Sequence, residues 1–181
     1  MASAPIYQFK ITLKGIRPPI WRRFQVKSDI TFHQFHYILQ KVMGWYNAHL
    51  YSFDLGFTRL SDAEFAAEFG DASAQKIKLN RYIRKEKDKF RYEYDFGDGW
   101  DHTIILEKIL PPEKGVQYPR CLKGKRACPP EDCGGVWGYA DLLEILADPD
   151  NPEREEYLEW IGGDFDPEAF DLEAINRSLG H

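Results

Sequence analysis

No apolar run in this 181-residue chain approaches the roughly 20 residues that a membrane-spanning helix requires, so a helical membrane partner or location is not expected. The opening, Met1-Ala-Ser-Ala-Pro5, has neither the charged start nor the apolar stretch of a secretory signal, and a cytoplasmic location is the expectation. Cysteine is scarce. Its count of 3 is odd, and reducing conditions leave such residues as free thiols or thiolate ligands rather than a disulfide framework. Internal repeats and low-complexity linkers are also missing. With 43% hydrophobic residues the chain can fill one core but not two comfortable ones, so residues 1–181 are expected to form a single domain.

What is abundant is aromatic surface and charge of segregated sign. Aromatics reach 15%, enough for a thick core with rings left over for a partner. Residues 1–90 carry 15 Lys/Arg against 8 Asp/Glu, whereas residues 91–181 carry 9 against 21. Such halves either compensate each other in the fold or present a basic face to nucleic acid.

Periodicity gives an α+β reading. Tyr7, Phe9, Ile11 and Leu13 alternate with polar residues, and Gly15-Ile-Arg-Pro-Pro19 turns the chain into Ile20, Arg22, Phe24 and Val26, a β-hairpin. Thr31 and Gln34 form a capping-box signature ahead of Phe32, Phe35, His36, Leu39, Val42 and Met43, which share a helical face ending at Gly44. A strand through Tyr51, Phe53, Leu55 and Phe57 follows, then a short helix over Ser61–Gly70. Hairpin, helix and strand in that order predict a β-grasp-like mixed sheet. A second hairpin pairs Phe90–Phe96 with Trp100–Leu106. A two-residue turn at Asp98-Gly99 would place Asp95 opposite His102. After Pro111-Pro112 the chain becomes acidic and helical, with Asn151-Pro152 and Asp166-Pro167 as helix starts and Gly162-Gly163 as a stop.

Cys121, Cys128 and Cys133 all fall within one proline-stiffened segment. Three thiolates suit zinc, which completes four-coordination with an imidazole or another thiolate. His102 is the preferred fourth donor, with Asp95 fixing its tautomer, and His49 comes next. The competing readings are inert buried thiols packed by Pro129, Pro130 and Trp137, and a reactive cysteine activated by Lys123, Lys125 or Arg126. Asp95 and His102 could alternatively orient a metal-bound water in a hydrolase acting on phosphodiesters. Asp95-Phe96-Gly97 matches the magnesium triplet of kinases, but no glycine-rich loop precedes it and no catalytic-loop HRD follows. Neither kinase chemistry nor a nucleotide cofactor is implied. Lys76–Tyr92 interleaves Arg81, Arg84 and Lys85 with Tyr82 and Tyr92, a pattern suited to phosphates and stacked bases; Arg22 and Arg23 extend it. The same lysines would also protect an edge strand.

Five segments, Ile16-Arg-Pro-Pro-Ile-Trp-Arg-Arg23, Met43-Gly-Trp45, Tyr94-Asp-Phe-Gly-Asp-Gly-Trp100, Cys128-Pro-Pro-Glu-Asp-Cys-Gly-Gly135 and Phe170-Asp-Leu-Glu-Ala-Ile-Asn176, span nearly the whole chain. Together they resemble the family named after the third open reading frame of an Ri plasmid, whose members are often labelled TnpR-like passenger proteins. The resemblance implies plasmid or mobile-element association rather than a reaction. Recombinase catalysis is disfavoured by the residues themselves: none of His33, His36, His49 and His102 is followed by Arg in a His-x-x-Arg spacing, and Ser3 lies in a terminal tip. The leading expectation is a non-catalytic binding module for nucleic acid or protein, with Cys121, Cys128, Cys133 and His102 as a stabilising zinc site and Arg22, Arg23, Arg81, Arg84, Lys85, Tyr82 and Tyr92 toward the partner. A metal-dependent hydrolase and a metal-free protein–protein adaptor are the alternatives.

Overall fold

The computed structural model describes residues 2–181. In chain order it contains β1 (Ile6–Leu13), β2 (Trp21–Lys27), α1 (Phe32–Met43), β3 (Tyr51–Asp54), β4 (Arg59–Ser61), α2 (Ala63–Phe69), β5 (Ala72–Ser73), α3 (Leu79–Tyr82), β6 (Lys89–Tyr94), β7 (Trp100–Leu110), β8 (Arg120–Lys125), α4 (Gly135–Ala147), α5 (Arg154–Ile161) and α6 (Leu172–Ser178). The strands form one sheet in the order β5-β4-β3-β6-β7-β1-β2-β8. Both neighbours of β1 run antiparallel to it, and parallel pairing is confined to the β4–β5 edge. The expected α+β class therefore takes the form of a largely antiparallel sheet. No helix among the described residues is long and apolar enough to cross a membrane.

The first hairpin and helix form as their patterns dictate. Phe9 and Phe24 present fully buried rings to Phe35 of α1, at centroid distances of 4.9 and 5.9 Å. Thr31 and Gln34 make the reciprocal capping box, contributing about 1 kcal/mol, and Gly44 ends the helix at φ 118°. That glycine also lets the later cysteine segment approach: a Cβ there would stand 3.0 Å from Cys128 Cβ. The strand expected to run to Phe57 stops at Asp54 and turns back into β4, leaving Phe57 exposed. The last helix is capped by Asp171, not by the Asp166-Pro167 pair. Cys121 belongs to a strand rather than a loop. Its N–H and C=O on the outer edge of β8 are matched by the Asn176 side-chain amide at 2.8 and 3.1 Å, which closes a sheet edge that would otherwise invite pairing.

Alternation along the central strands separates two faces. Ile11, Phe24, Ile104 and Tyr92 point into the core shared with α1 and with Tyr139 and Leu142 of α4. Lys10, Trp21, Arg23, Lys89, Arg91 and Lys123 point the other way and keep solvent access. Arg22 is a charged exception on the core side. It is 2% exposed, and its guanidinium donates to the carbonyls of Val42 (2.8 Å) and Met43 (3.3 Å) at the end of α1, and to those of Trp21 (2.9 Å) and Lys125 (3.0 Å). A fixed cation here satisfies helix-terminal carbonyls, complements the negative end of the helix and lies 5.0 Å from the Phe170 ring.

Truncating Arg22→Met leaves several buried carbonyls without a donor and is expected to lower unfolding stability by about 3 kcal/mol in urea titrations. Arg22→Lys recovers less than half, because one ammonium cannot reproduce the fork. A loss under about 1 kcal/mol for Arg22→Met contradicts this account.

Candidate metal centre

Two motif loops meet at one end of the sheet. The β6–β7 connection is not the two-residue turn that Asp98-Gly99 suggested: Tyr94 pairs with Trp100 and Tyr92 with His102, so Asp95–Gly99 form a longer loop. Asp95 adopts φ 61° and folds the loop on itself, its Oδ1 accepting from the N–H groups of Gly97 (3.0 Å) and Asp98 (3.2 Å). This removes it from His102 and turns Oδ2 toward the segment after α1. Asp98 then ties the loop to the segment 128–135 by accepting from Gly134 N–H at 3.1 Å. Gly135 makes that approach feasible, since a Cβ on it would collide with the Asp98 carbonyl oxygen.

The docking brings His49, Asp95 and Glu131 together, with their ligand atoms within 4.8 Å of one another. His49 Nε2 lies 3.5 Å from Asp95 Oδ2, 3.9 Å from Glu131 Oε2 and 2.7 Å from Asp132 Oδ1, the last contact lacking hydrogen-bond geometry. Asp95 and Glu131 side chains are only 8% and 14% exposed. Each carboxylate has one oxygen fixed by donors and the other free. Glu131 Oε1 accepts from Tyr46 N–H at 2.9 Å and Tyr94 Oη at 2.8 Å, while Glu131 Oε2 and His49 Nε2 are buried without a hydrogen-bond partner. Burial and the Glu131 carboxylate keep the Tyr94 phenol protonated by raising its pKa, so it remains a donor. One imidazole with two carboxylates is a donor set for a divalent cation of intermediate hardness such as Mn²⁺ or Zn²⁺.

Beside this cluster opens a cleft of about 600 Å³, lined by His33, His36, Asn47, His49, Tyr51 and Asp95 among others. His36 stacks on Tyr51 at 3.7 Å between centroids and contacts Asn47 Oδ1 (2.7 Å) and Tyr92 Oη (2.6 Å). With Asn47 Oδ1 as acceptor, Nε2 carries the proton and Nδ1 accepts from the tyrosine. Burial lowers the His36 pKa to about 4 and keeps the ring neutral. His33 reaches Tyr51 Oη through Nδ1 at 2.7 Å.

His102 is fully buried, its Nδ1 3.0 Å from the Tyr92 carbonyl, and burial lowers its pKa to about 4. Cys121 Sγ lies 3.5 Å from the Arg23 carbonyl. All three cysteines are free thiols whose pKa burial raises, that of Cys133 to about 12. They do not meet His102 as one ligand group; among the described residues the converging set is His49, Asp95 and Glu131. Of the basic and aromatic candidates, Arg22 and Tyr92 are core residues and unavailable to a partner. Arg23 remains on the open sheet face, bound to Glu107 at 2.7 Å. Arg81, Arg84 and Lys85 are exposed around α3, and Tyr82 is half-buried against Phe57. Sequence reasoning missed Glu131 and Asp132, although both lie between Cys128 and Cys133, because the thiols drew the ligand argument to themselves. Carboxylates in a loop stiffened by two prolines were the available signal.

The chain belongs to the plasmid pRiA4b ORF-3-like proteins, matched over residues 5–174. It is similar to the uncharacterized protein y4hQ of Sinorhizobium fredii (strain NBRC 101917 / NGR234), 39% identical over 97% of this chain and 91% of that protein. It also resembles the crystal structure of MM3350, a protein of unknown function from Methanosarcina mazei Go1, with a TM-score of 0.85 and 40% identity over 96% of this chain and 98% of the other.

The two buried neutral histidines set a pH dependence. In the unfolded chain they take up protons near pH 6.5, in the folded protein only near pH 4. Between those values the unfolded state binds more protons, so stability falls as pH drops from 6.5 to 4, by about 3 kcal/mol for each ring at most. Urea midpoints between pH 7 and 4.5 should fall steeply, and His102→Gln, which cannot titrate, should flatten that dependence by roughly half. An unchanged slope in that variant contradicts the assignment.

Proposed function

We propose that the protein is a divalent-cation-dependent binding module. His49 Nε2, Asp95 Oδ2 and Glu131 Oε2 would hold the ion, with Asp132 as a further carboxylate at its rim, and the open coordination positions would face the cleft. The observation that supports this reading is the pair of buried, unpartnered atoms, His49 Nε2 and Glu131 Oε2, in a group with Asp95 whose ligand atoms lie within 4.8 Å of one another. Polar atoms in such surroundings cost about 1–3 kcal/mol each when unmatched, a cost that a bound cation removes. The fixing of the opposite carboxylate oxygens by Tyr46, Tyr94, Gly97 and Asp98 preorganises the donors. The ligand presented to the ion would be a small oxygen donor, a carboxylate or phosphate, sized to the cleft.

Hydrolysis of a phosphodiester is the second reading, favoured by the open side of the centre and by His33 in the same cleft. A cation bound here would lower the pKa of a coordinated water. His33, held by Tyr51, would be placed to exchange a proton with it. In this version His49 replaces His102 as the imidazole beside Asp95. Turnover of bis(p-nitrophenyl) phosphate that needs Mn²⁺ and is lost in His33→Ala while cation affinity persists would select the hydrolase; no turnover leaves the binding module.

Calorimetric titration with Mn²⁺ and Zn²⁺ should give one site per chain. His49→Ala and Glu131→Gln are each expected to weaken it at least 10-fold, and Cys128→Ser/Cys133→Ser to leave it in place. Binding that survives the first two variants and disappears in the third contradicts the assignment and returns the ion to the thiols.

A further inference from the structure

We infer that the open face of the sheet is a docking surface for single-stranded nucleic acid. The pairing register places Lys89, Ile105, Lys10, Arg23 and Lys123 side by side on β6, β7, β1, β2 and β8. With strands about 4.8 Å apart, this row crosses roughly 19 Å of sheet. The adjacent row, Arg91, Thr103, Thr12, Trp21 and Lys125, lies on the same strands. All ten positions retain solvent access, while their sequence neighbours Phe9, Ile11, Arg22, Phe24 and Ile104 are buried on the opposite side. No helix among the described residues covers these rows.

The electrostatics of the face favour a polyanion. Three carboxylates oppose the cations directly, Glu107 on Arg23, Asp101 on Arg91 and Lys14, and Asp54 on Arg91. Lys10, Lys89, Lys123 and Lys125 have no carboxylate within 4.0 Å among the described residues. Most carboxylates of the acidic half lie on α4–α6 and their connections, which share the core on the other side of the sheet, while Glu93, Asp101 and Glu107 stay on β6 and β7. A molecule of net charge −5 thus turns a cationic strip outward. Near the middle of the strip, Trp21 carries the Lys10 ammonium at 4.8 Å and the Arg23 guanidinium at 5.2 Å from its ring centroid. An aromatic ring among phosphate-neutralising cations accepts an unstacked base, which a duplex does not offer. The surface is distinct from the cation centre, and it uses Arg23 but neither Arg22 nor Tyr92.

Fluorescence anisotropy of a labelled 12-nucleotide single strand, with the matched duplex in parallel, tests this at low salt in EDTA, which separates the result from any cation site. Wild type should prefer the single strand, with log affinity falling against log salt by about 0.7 for each phosphate neutralised. Lys89→Glu/Lys123→Glu/Lys125→Glu, all exposed and checked for unchanged thermal unfolding, should weaken binding at least 10-fold and flatten the salt slope. Trp21→Ala should weaken the single strand with little change in slope. Absence of binding by wild type, equal or tighter binding of duplex, or loss in Arg81→Glu/Arg84→Glu but not in the sheet variant overturns the proposal.

Discussion

The docking of the Asp95–Gly99 loop onto the segment 128–135 is the constraint on which the rest of the site depends. It rests on a small set of contacts: Asp98 receives Gly134 N–H, Gly135 gives way to the Asp98 carbonyl, and Tyr94 reaches across to Glu131. Without it, Asp95 would be a turn residue and Glu131 a surface carboxylate. With it, two acids from positions 36 residues apart in sequence stand beside His49, one oxygen of each held and the other free. Gly44 serves the same geometry from below by admitting Cys128 against the end of α1. On the proposed assignment Cys128 and Cys133 are packing elements of that loop, and Cys121 belongs to β8.

Energetically the molecule tolerates many buried polar groups by matching them. Arg22 closes four carbonyls around the junction of α1, β2 and β8, and Asn176 closes the β8 edge at Cys121. His36, Tyr92, Gln40 and Asn47 form a connected network beneath the cleft. Networks satisfied in this way hold side chains rigidly. Among the buried polar atoms left unmatched, His49 Nε2 and Glu131 Oε2 are set apart by lying together beside Asp95 Oδ2, with His49 and Asp95 lining the cleft. The same separation of roles organises the sheet: one face is sealed by aromatics against α1, and the other is left to lysines and Trp21.

The hydrophobic alternation of β1, β2, β6 and β7, the two ends of α1 and the Gly162 stop of α5 were legible because each depends on local pattern, whereas α5 and α6 start later than the Asn151-Pro152 and Asp166-Pro167 pairs suggested. The register of the second hairpin was not. Asp98-Gly99 has the composition of a two-residue turn, but Asp95 adopts a left-handed conformation and bonds to Gly97 and Asp98, and this local competition lengthens the loop. That shift changed Asp95's partner from His102 to His49. His49 was legible as a second-choice donor, Glu131 and Asp132 were not, since their approach depends on tertiary docking of two loops. Arg22 and Tyr92 show the converse: alternation put them on the core side of their strands, yet charge and ring chemistry suggested a partner surface.

Diffraction from crystals grown with Mn²⁺, recorded to give anomalous signal from manganese, would address the central assignment most directly. A single strong peak within coordination distance of His49 Nε2, Asp95 Oδ2 and Glu131 Oε2, with its free side toward the cleft, is the predicted result. A peak at the thiols of Cys128 and Cys133, or none at His49 under saturating Mn²⁺, would contradict it.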